Sequence, residues 1–354
     1  MANALLYDFL LANGGAEQLA LTTVELFPEL ELQTGFLNPE LFQESVAHTL
    51  TTPVSHPALQ AIRMLYAFRH QTGYLSNYET VIYSGSYAPV AVWNHVDGKN
   101  IYYCHTPPRF VYDLKDFYLQ QIPYWQRPVL HALIEYVRPR FEQAIDQMDT
   151  LIANSQNVRQ RLLDNLNVDS TVIYPPVNTE QYKWLSTGEY YLSTARLEPY
   201  KRVDLIVEAF VKMPDKQLVV TSGGSDLPRL KRIANNATNI RFTGWASQQQ
   251  LIDLVGRAIA TIYLPMNEDF GISPVESMAA GKPVIGAAEG GLLETVIDGE
   301  TGVLIAAVDD LQIIEAVNKL SNRQALQMRH ACVHQAQQFT VEQYFQKMQL
   351  QFGN

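Results

Sequence analysis

Short apolar runs alternate with stretches whose apolar residues recur every three or four positions along the whole 354-residue chain. That alternation predicts parallel strands wrapped by helices. Ala4–Phe9 reads as a first strand, Asn13, Gly14 and Gly15 as the turn after it, and Ala16–Phe27 as an amphipathic helix. Further strands are expected at Glu31–Phe36, Thr80–Ser84 and Ile101–Cys104. From Pro128 to Gln147 the apolar positions line one helical face, with Pro139 expected to kink or break it. A second cycle of strands starts at Tyr190–Thr194 and continues at Gln217–Thr221, Asn239–Phe242, Ala258–Leu264, Pro283–Gly286 and Gly302–Ile305. Between the cycles, the prolines of Tyr174-Pro175-Pro176-Val177-Asn178 stop any helix or central strand from continuing. The expected fold class is therefore α/β, with two Rossmann-like doubly wound domains over residues 1–176 and 177–338 facing a central cleft. Thr340-Val341-Glu342-Gln343 is a capping box, and the helix it opens, within 339–354, is expected to return to the first domain.

Composition narrows the class. A hydrophobic fraction of 47% with 18% charged residues belongs to a globular protein and excludes wholesale disorder. The net charge is −10, about −7 before residue 176 and −3 after it, so neither half is built to neutralise nucleic-acid phosphates. Cys104 and Cys332 stand far apart without metal-ligand spacing, so neither a disulfide framework nor a structural zinc site is expected, and a reducing compartment fits. No apolar run approaches the ~20 residues that span a bilayer. The chain opens directly in a strand without a basic leader, and a cytoplasmic protein is expected. Five arginines between Arg127 and Arg161 are offset by four carboxylates, so weak peripheral contact at the inner face of a membrane is the most this segment supports.

The chemistry concentrates in Ile262–Val284. An apolar strand runs into a loop with Glu268, Asp269 and Gly271, and Ser273-Pro274 supplies N-cap and first-position chemistry for a helix. The loop then sits at the carboxyl end of a strand, where open α/β sheets bind ligands. The backbone N–H groups of Phe270, Gly271 and Ile272 would face an anion there. Glu276 stands three residues after Ser273 and reads equally as the last member of a capping box. No Asp-x-Asp follows a strand, and Asp309-Asp310 reads as a helix start, so no metal and no cofactor are expected.

Glu268 and Glu276 form E-x7-E, and EDFGISPVESMAAGKPVI resembles the signature of the family 4 retaining glycosyltransferases of the GT-B fold. The resemblance extends over nearly the whole chain. Asn13–Glu17 is similar to the family's N-terminal glycine loop, and IYYCHTPPRF (101–110) to the histidine segment of its bacterial O-antigen mannosyltransferase branch. LIANS (151–155) and IYPPVN (173–178) resemble its interdomain segment, and ARLEPYKRVDLIVEAF (195–210) its donor-phosphate segment.

The resemblance implies hexosyl transfer, with retention, from a nucleotide-diphosphate sugar to a saccharide or lipid-linked saccharide. GDP-mannose is the favoured donor and UDP-glucose the next. It assigns catalysis to His105, Arg196, Lys201 and Glu268, with His105 on the transferred hexose and the two cations on the leaving diphosphate. It assigns donor binding to Gly14, Gly15, Gly223, Gly244, Phe270, Gly271 and Ile272, with Glu276 on the ribose. Plainer readings stand beside these: His105 as a satisfied core histidine, Gly14 and Gly15 as turn formers, Arg196 and Lys201 as surface cations. Arg202 reads as solvated, and Trp245 as core or rim packing. Ser222-Gly223-Gly224-Ser225 departs from the family's commoner Gly-x-Gly-Pro loop. A sugar-nucleotide epimerase of the same fold, or a non-catalytic nucleotide-sugar-binding protein, are the alternatives.

Overall fold

The computed structural model describes residues 2–12 and 14–352. The chain divides into two compact units, one comprising the chain up to Tyr174 together with the segment from Phe345 onward, the other Pro175–Tyr344.

The first unit is built on a parallel sheet of β1 (Asn3–Leu10), β2 (Leu30–Leu37), β3 (His48–Thr49), β4 (Thr80–Ser84), β5 (Lys99–Cys104), β6 (Thr150–Ala153) and β7 (Thr171–Val172). Their order across the sheet is β3-β2-β1-β4-β5-β6-β7. Strands such as β4 are buried along their whole length, which is why they read as apolar runs. Two-residue β3 and β7 carry no period-two pattern, and the sequence reading passes over them. The helix Arg127–Ile145 is not broken at Pro139. Pro139 is exposed, so the carbonyl that loses its N–H partner faces water, and the expected break does not occur.

The second unit repeats the plan with β8 (Tyr190–Ser193), β9 (Gln217–Thr221), β10 (Ile240–Gly244), β11 (Thr261–Tyr263), β12 (Val284–Ala287) and β13 (Gly302–Ile305), ordered β10-β9-β8-β11-β12-β13. In both sheets the order reverses beside the first strand, between β1 and β4 and between β8 and β11. These are the switch points at which doubly wound sheets leave a crevice beyond the strands' carboxyl ends. Asp309 caps the helix Asp310–Lys319 by accepting from Gln312 N–H, as a helix-start residue should.

The helix Val341–Phe352 begins in the second unit and ends in the first, with Thr340 Oγ1 accepting from Gln343 N–H at 3.3 Å at its start. Phe345 stacks on Phe27 at 5.1 Å between ring centroids, and Phe352 lies tilted against it at 4.8 Å.

Candidate functional site

In the second unit the switch point brings together two loops, one after β8 and one after β11. The first ends in a short 3-10 turn at Pro199–Lys201. Lys201 is 8% exposed, and its Nζ donates to Glu268 Oε2 at 2.7 Å and to the Tyr263 hydroxyl at 3.3 Å. Tyr263 in turn donates to Glu268 Oε1 at 3.0 Å, closing a triangle in which each carboxylate oxygen takes one donor. Burial works against the Lys201 charge, but the Tyr263 and Glu268 oxygens outweigh it and hold the ammonium above its ordinary value. Burial also pushes the Tyr263 phenol well up, so it stays neutral and Glu268 supplies the countercharge. An ammonium has three donors, and this triangle uses two of them.

Arg202, expected to be solvated, is instead a brace for the strand end. It adopts a left-handed conformation (φ +52°), and its guanidinium donates to the carbonyls of Leu264 at 2.8 Å and Pro265 at 2.7 Å and pairs with Glu289. Three acceptors at one position suit a fork, not a point charge. Arg196 is exposed, and its guanidinium has no ion pair among the described residues.

The helix after Glu268 starts earlier than Ser273. It spans Ile272–Ala279, capped by Gly271 at φ +92°, a conformation open to glycine at little cost. Ser273 and Pro274 therefore lie inside the first turn. The N–H groups at the helix start are those of Gly271, Ile272 and Ser273, while Phe270 precedes the cap with its buried ring against Phe339 at 5.3 Å. Glu276 is then too far into the helix to close a capping box with Ser273. Its Oε1 accepts from the Tyr182 hydroxyl at 2.7 Å, and Gln248 Nε2 lies 3.2 Å from that hydroxyl. Burial raises the Glu276 carboxyl, and the Tyr182 bond opposes the rise.

Sequence reasoning missed Gly290 and Gly291. A Cβ on Gly290 would fall 2.5 Å from Glu268 O, one on Gly291 2.5 Å from the Phe270 Cα, and Gly291 N–H donates to Glu268 O at 2.8 Å. The glycine pair after β12 lets this turn lie directly against the Glu268 loop. A Gly-Gly at a strand's carboxyl end was the available signal. Tyr182 gave none.

Gly223 follows β9, and Gly244 is the last residue of β10. A Cβ on Gly223 would strike the Trp245 indole at 2.4 Å. Trp245 is 69% exposed, so it does not pack in the core. Gly244 has φ +72° and accepts Ser222 N–H at 2.8 Å.

In the first unit His105 follows β5, half-buried, with Ser84 Oγ 2.8 Å from its Nε2. The next residue, Thr106, accepts through Oγ1 from buried Arg161 at 2.8 Å. Gly14 caps the helix Gly15–Leu26 in ordinary extended geometry (φ −95°), so no left-handed backbone requires glycine there. The Glu17 carboxylate folds over it, within 2.6 Å of where a Cβ would be. Asn13, assigned to the same turn, lies outside the described residues. Among the described residues no group of three or more His, Cys, Asp or Glu side chains gathers as metal ligands. Among the described residues, too, no helix is long and apolar enough to cross a membrane.

Residues 14–181 match the family "Glycosyltransferase Family 4" and residues 177–339 the family "Glycosyl transferases group 1". The D-inositol 3-phosphate glycosyltransferase of Mycolicibacterium smegmatis is 28% identical over 223 residues, 56% of this chain and 51% of that protein. The alpha-1,3/1,6-mannosyltransferase ALG2 of Kluyveromyces lactis is 28% identical over 281 residues, 64% of this chain and 54% of that one. The chain spans about half the length of the curated relatives it matches. Among solved structures, Anabaena HepE in complex with UDP and glucose superposes with a TM-score of 0.76, covering 99% of both chains at 16% identity.

Proposed function

Because the chain belongs to the glycosyltransferases of the GT-B fold, we propose that it moves a hexose, with retention, from a nucleotide-diphosphate sugar to a saccharide or lipid-linked saccharide. The observation that carries this reading is the Lys201–Tyr263–Glu268 triangle at the switch point, beside the helix start at Gly271.

Breaking the glycosidic bond to a diphosphate leaves positive charge on the sugar ring and negative charge on the departing oxygens. Lys201 is held charged, and its third N–H can meet the diphosphate without giving up Glu268. Exposed Arg196, on the same loop, adds a fork for the other phosphate oxygens. The first-turn N–H groups at Gly271, Ile272 and Ser273 favour the same negative charge. Glu276, oriented by Tyr182, takes the ribose hydroxyls. Glu268 faces the reacting sugar with both oxygens already oriented.

GDP-mannose is the favoured donor, on the likeness of 101–110 to the mannosyltransferase branch, and the mannosyltransferase among the relatives is in keeping with it. UDP-glucose is the next. The test is incubation with a panel of nucleotide sugars, with and without oligosaccharide and lipid-linked acceptors, following nucleotide release and the anomeric configuration of the product. Conversion of donor alone to a second nucleotide sugar would replace this reading with an epimerase, and binding without turnover with a nucleotide-sugar-binding protein.

A further inference from the structure

Three elements of the first unit meet around a cavity of about 420 Å³. They are the end of the helix Pro57–His70, the 3-10 segment Ala88–Asn94 and the second half of the helix Arg127–Ile145. Each leads onward to a strand, β4, β5 and β6 in turn. In a parallel sheet every such connection returns the chain to the strands' amino ends. The cavity therefore lies toward that edge, away from the carboxyl ends where Ser84 and His105 stand. No residue assigned to the donor lines it.

Its walls are aromatic and cationic. Tyr66, Trp93 and Tyr136 supply rings, with Arg69, His70 and Arg140 among them. The Arg69 guanidinium carbon lies 5.6 Å from the Trp93 ring centroid, and that of Arg140 lies 3.6 Å from the Tyr136 centroid. A ring face positions a cation without neutralising it. Arg140 donates one N–H to Tyr136 O at 2.7 Å, and neither arginine has an ion pair among the described residues. Among those residues no aspartate or glutamate lines the cavity, although acids outnumber Lys and Arg by 36 to 26 in the chain as a whole. The cavity is thus a cationic exception on an acidic protein.

We propose that this cavity binds an acidic saccharide, a pyranose bearing a carboxylate within an oligosaccharide. A pyranose has C–H faces that pack on rings and a rim of hydroxyls that needs polar partners. Here the three rings meet the faces, and the two phenols and the Gln143 amide meet the rim. The arginines add two planar forks, the donor geometry that matches a carboxylate. A cavity of about 420 Å³ falls within the roughly 300–1,000 Å³ of small-ligand sites. A bilayer fits less well, because Trp93 and Tyr136 are only 38% and 37% exposed, on the walls of a depression, whereas rings that enter a membrane protrude. Nucleic acid would need a run of cations, and two arginines do not make one. The proposal does not depend on the transferase reading, since no donor-site residue takes part.

The test is titration of the full chain with a tetrasaccharide of alternating glucuronate and N-acetylglucosamine, read by calorimetry and by the indole N–H signal of Trp93, assigned by its loss in Trp93→Phe. Chitotetraose, a hexaglutamate peptide and phosphatidylglycerol vesicles are the comparisons. The acidic tetrasaccharide should bind at least about tenfold more tightly than chitotetraose or the peptide, and should shift the Trp93 signal. Arg69→Gln and Arg140→Gln, both at exposed positions, should each weaken it about tenfold and leave nucleotide affinity unchanged. No binding by the wild type up to about 10 mM overturns the proposal. So does equal binding of chitotetraose or hexaglutamate, a Trp93 signal that does not move, or undiminished affinity when both arginines are replaced. Binding to vesicles but not to the tetrasaccharide, lost in the arginine variants, would make the cavity a membrane contact instead. If the double variant does not fold, the Trp93 signal and the neutral tetrasaccharide still decide.

Discussion

Tyr182 donates its phenol to Glu276 Oε1 at 2.7 Å across 94 residues of chain. Burial raises the Glu276 carboxyl and this bond pulls it back toward the ionised form. If Glu276 takes the ribose hydroxyls as proposed, the sign for binding follows: as pH falls, it protonates earlier than an ordinary carboxyl and stops accepting from them. Tyr182→Phe removes the opposing bond, so nucleotide affinity should drop about tenfold near neutrality and its acid-side loss should begin at higher pH. Calorimetric titration of nucleotide across the acid range checks this. Unchanged affinity in both Tyr182→Phe and Glu276→Ala would remove Glu276 from the donor site.

Lys201 and Glu268 are nearly buried and joined at 2.7 Å, so removing either takes this ion pair from the other. Each single alanine variant should lose about 2–4 kcal/mol of stability, and the double variant much less than the sum. Denaturant titration of the four proteins measures the coupling. Separately, Glu268→Ala should lower turnover on the order of a hundredfold while leaving nucleotide affinity nearly intact. Additive stability losses would mean that the pair does not act as a unit.

Lys282 is fully buried, with its ammonium 3.4 Å from the Trp184 ring centroid, and it donates to Ser186 O at 2.5 Å. Burial, and then the nearby Arg329 charge, pull it down to about 7 from an ordinary 10.5. Between those values the unfolded chain binds the extra proton, so this group makes stability rise with pH from about 7 upward. Above about 10 the buried tyrosines, whose phenols are raised, reverse the slope. Urea titrations between pH 7 and 9.5 should show the rise in the wild type and a flatter profile in Lys282→Met. An equal slope in both would assign the effect elsewhere.

If the diphosphate leaves beside charged Lys201 and the helix start, as proposed, it has fixed positive partners there. Turnover should therefore survive exhaustive treatment with a chelator, within about twofold. Activity abolished by chelation and restored only by Mn²⁺ or Mg²⁺ would show that these groups do not suffice.

The parallel strands were legible because strands buried on both faces read as continuous apolar runs, as Thr80–Ser84 and Gln217–Thr221 do. Glu268 was singled out as a carboxylate at a strand's end and Lys201 through the family resemblance, but not the two as partners. Their contact depends on β8 lying beside β11, which no local pattern encodes. Tyr182 was hidden for the same reason, and so was Ser84, whose hydroxyl gains a purpose only when β4 pairs with β5. Arg202 was misread because a charged side chain beside a helix usually points to water, whereas here three acceptors at the end of β11 claim it. The helix start slipped by two residues because Ser-Pro is a strong opening signal in general, and Gly271 pre-empted it.

The aromatic stack of Phe27 with Phe345 and Phe352 has a consequence for how the protein is made. Synthesis delivers the first unit's seven strands early, yet the rings that cover Phe27 leave the ribosome only after the second unit up to Tyr344. Until then the first unit displays an uncovered aromatic surface while the whole second unit is being translated. The nascent protein therefore passes through a long interval in which its older half is unfinished. A stop codon placed just after Tyr344 would leave the second unit whole and make that interval permanent for the first.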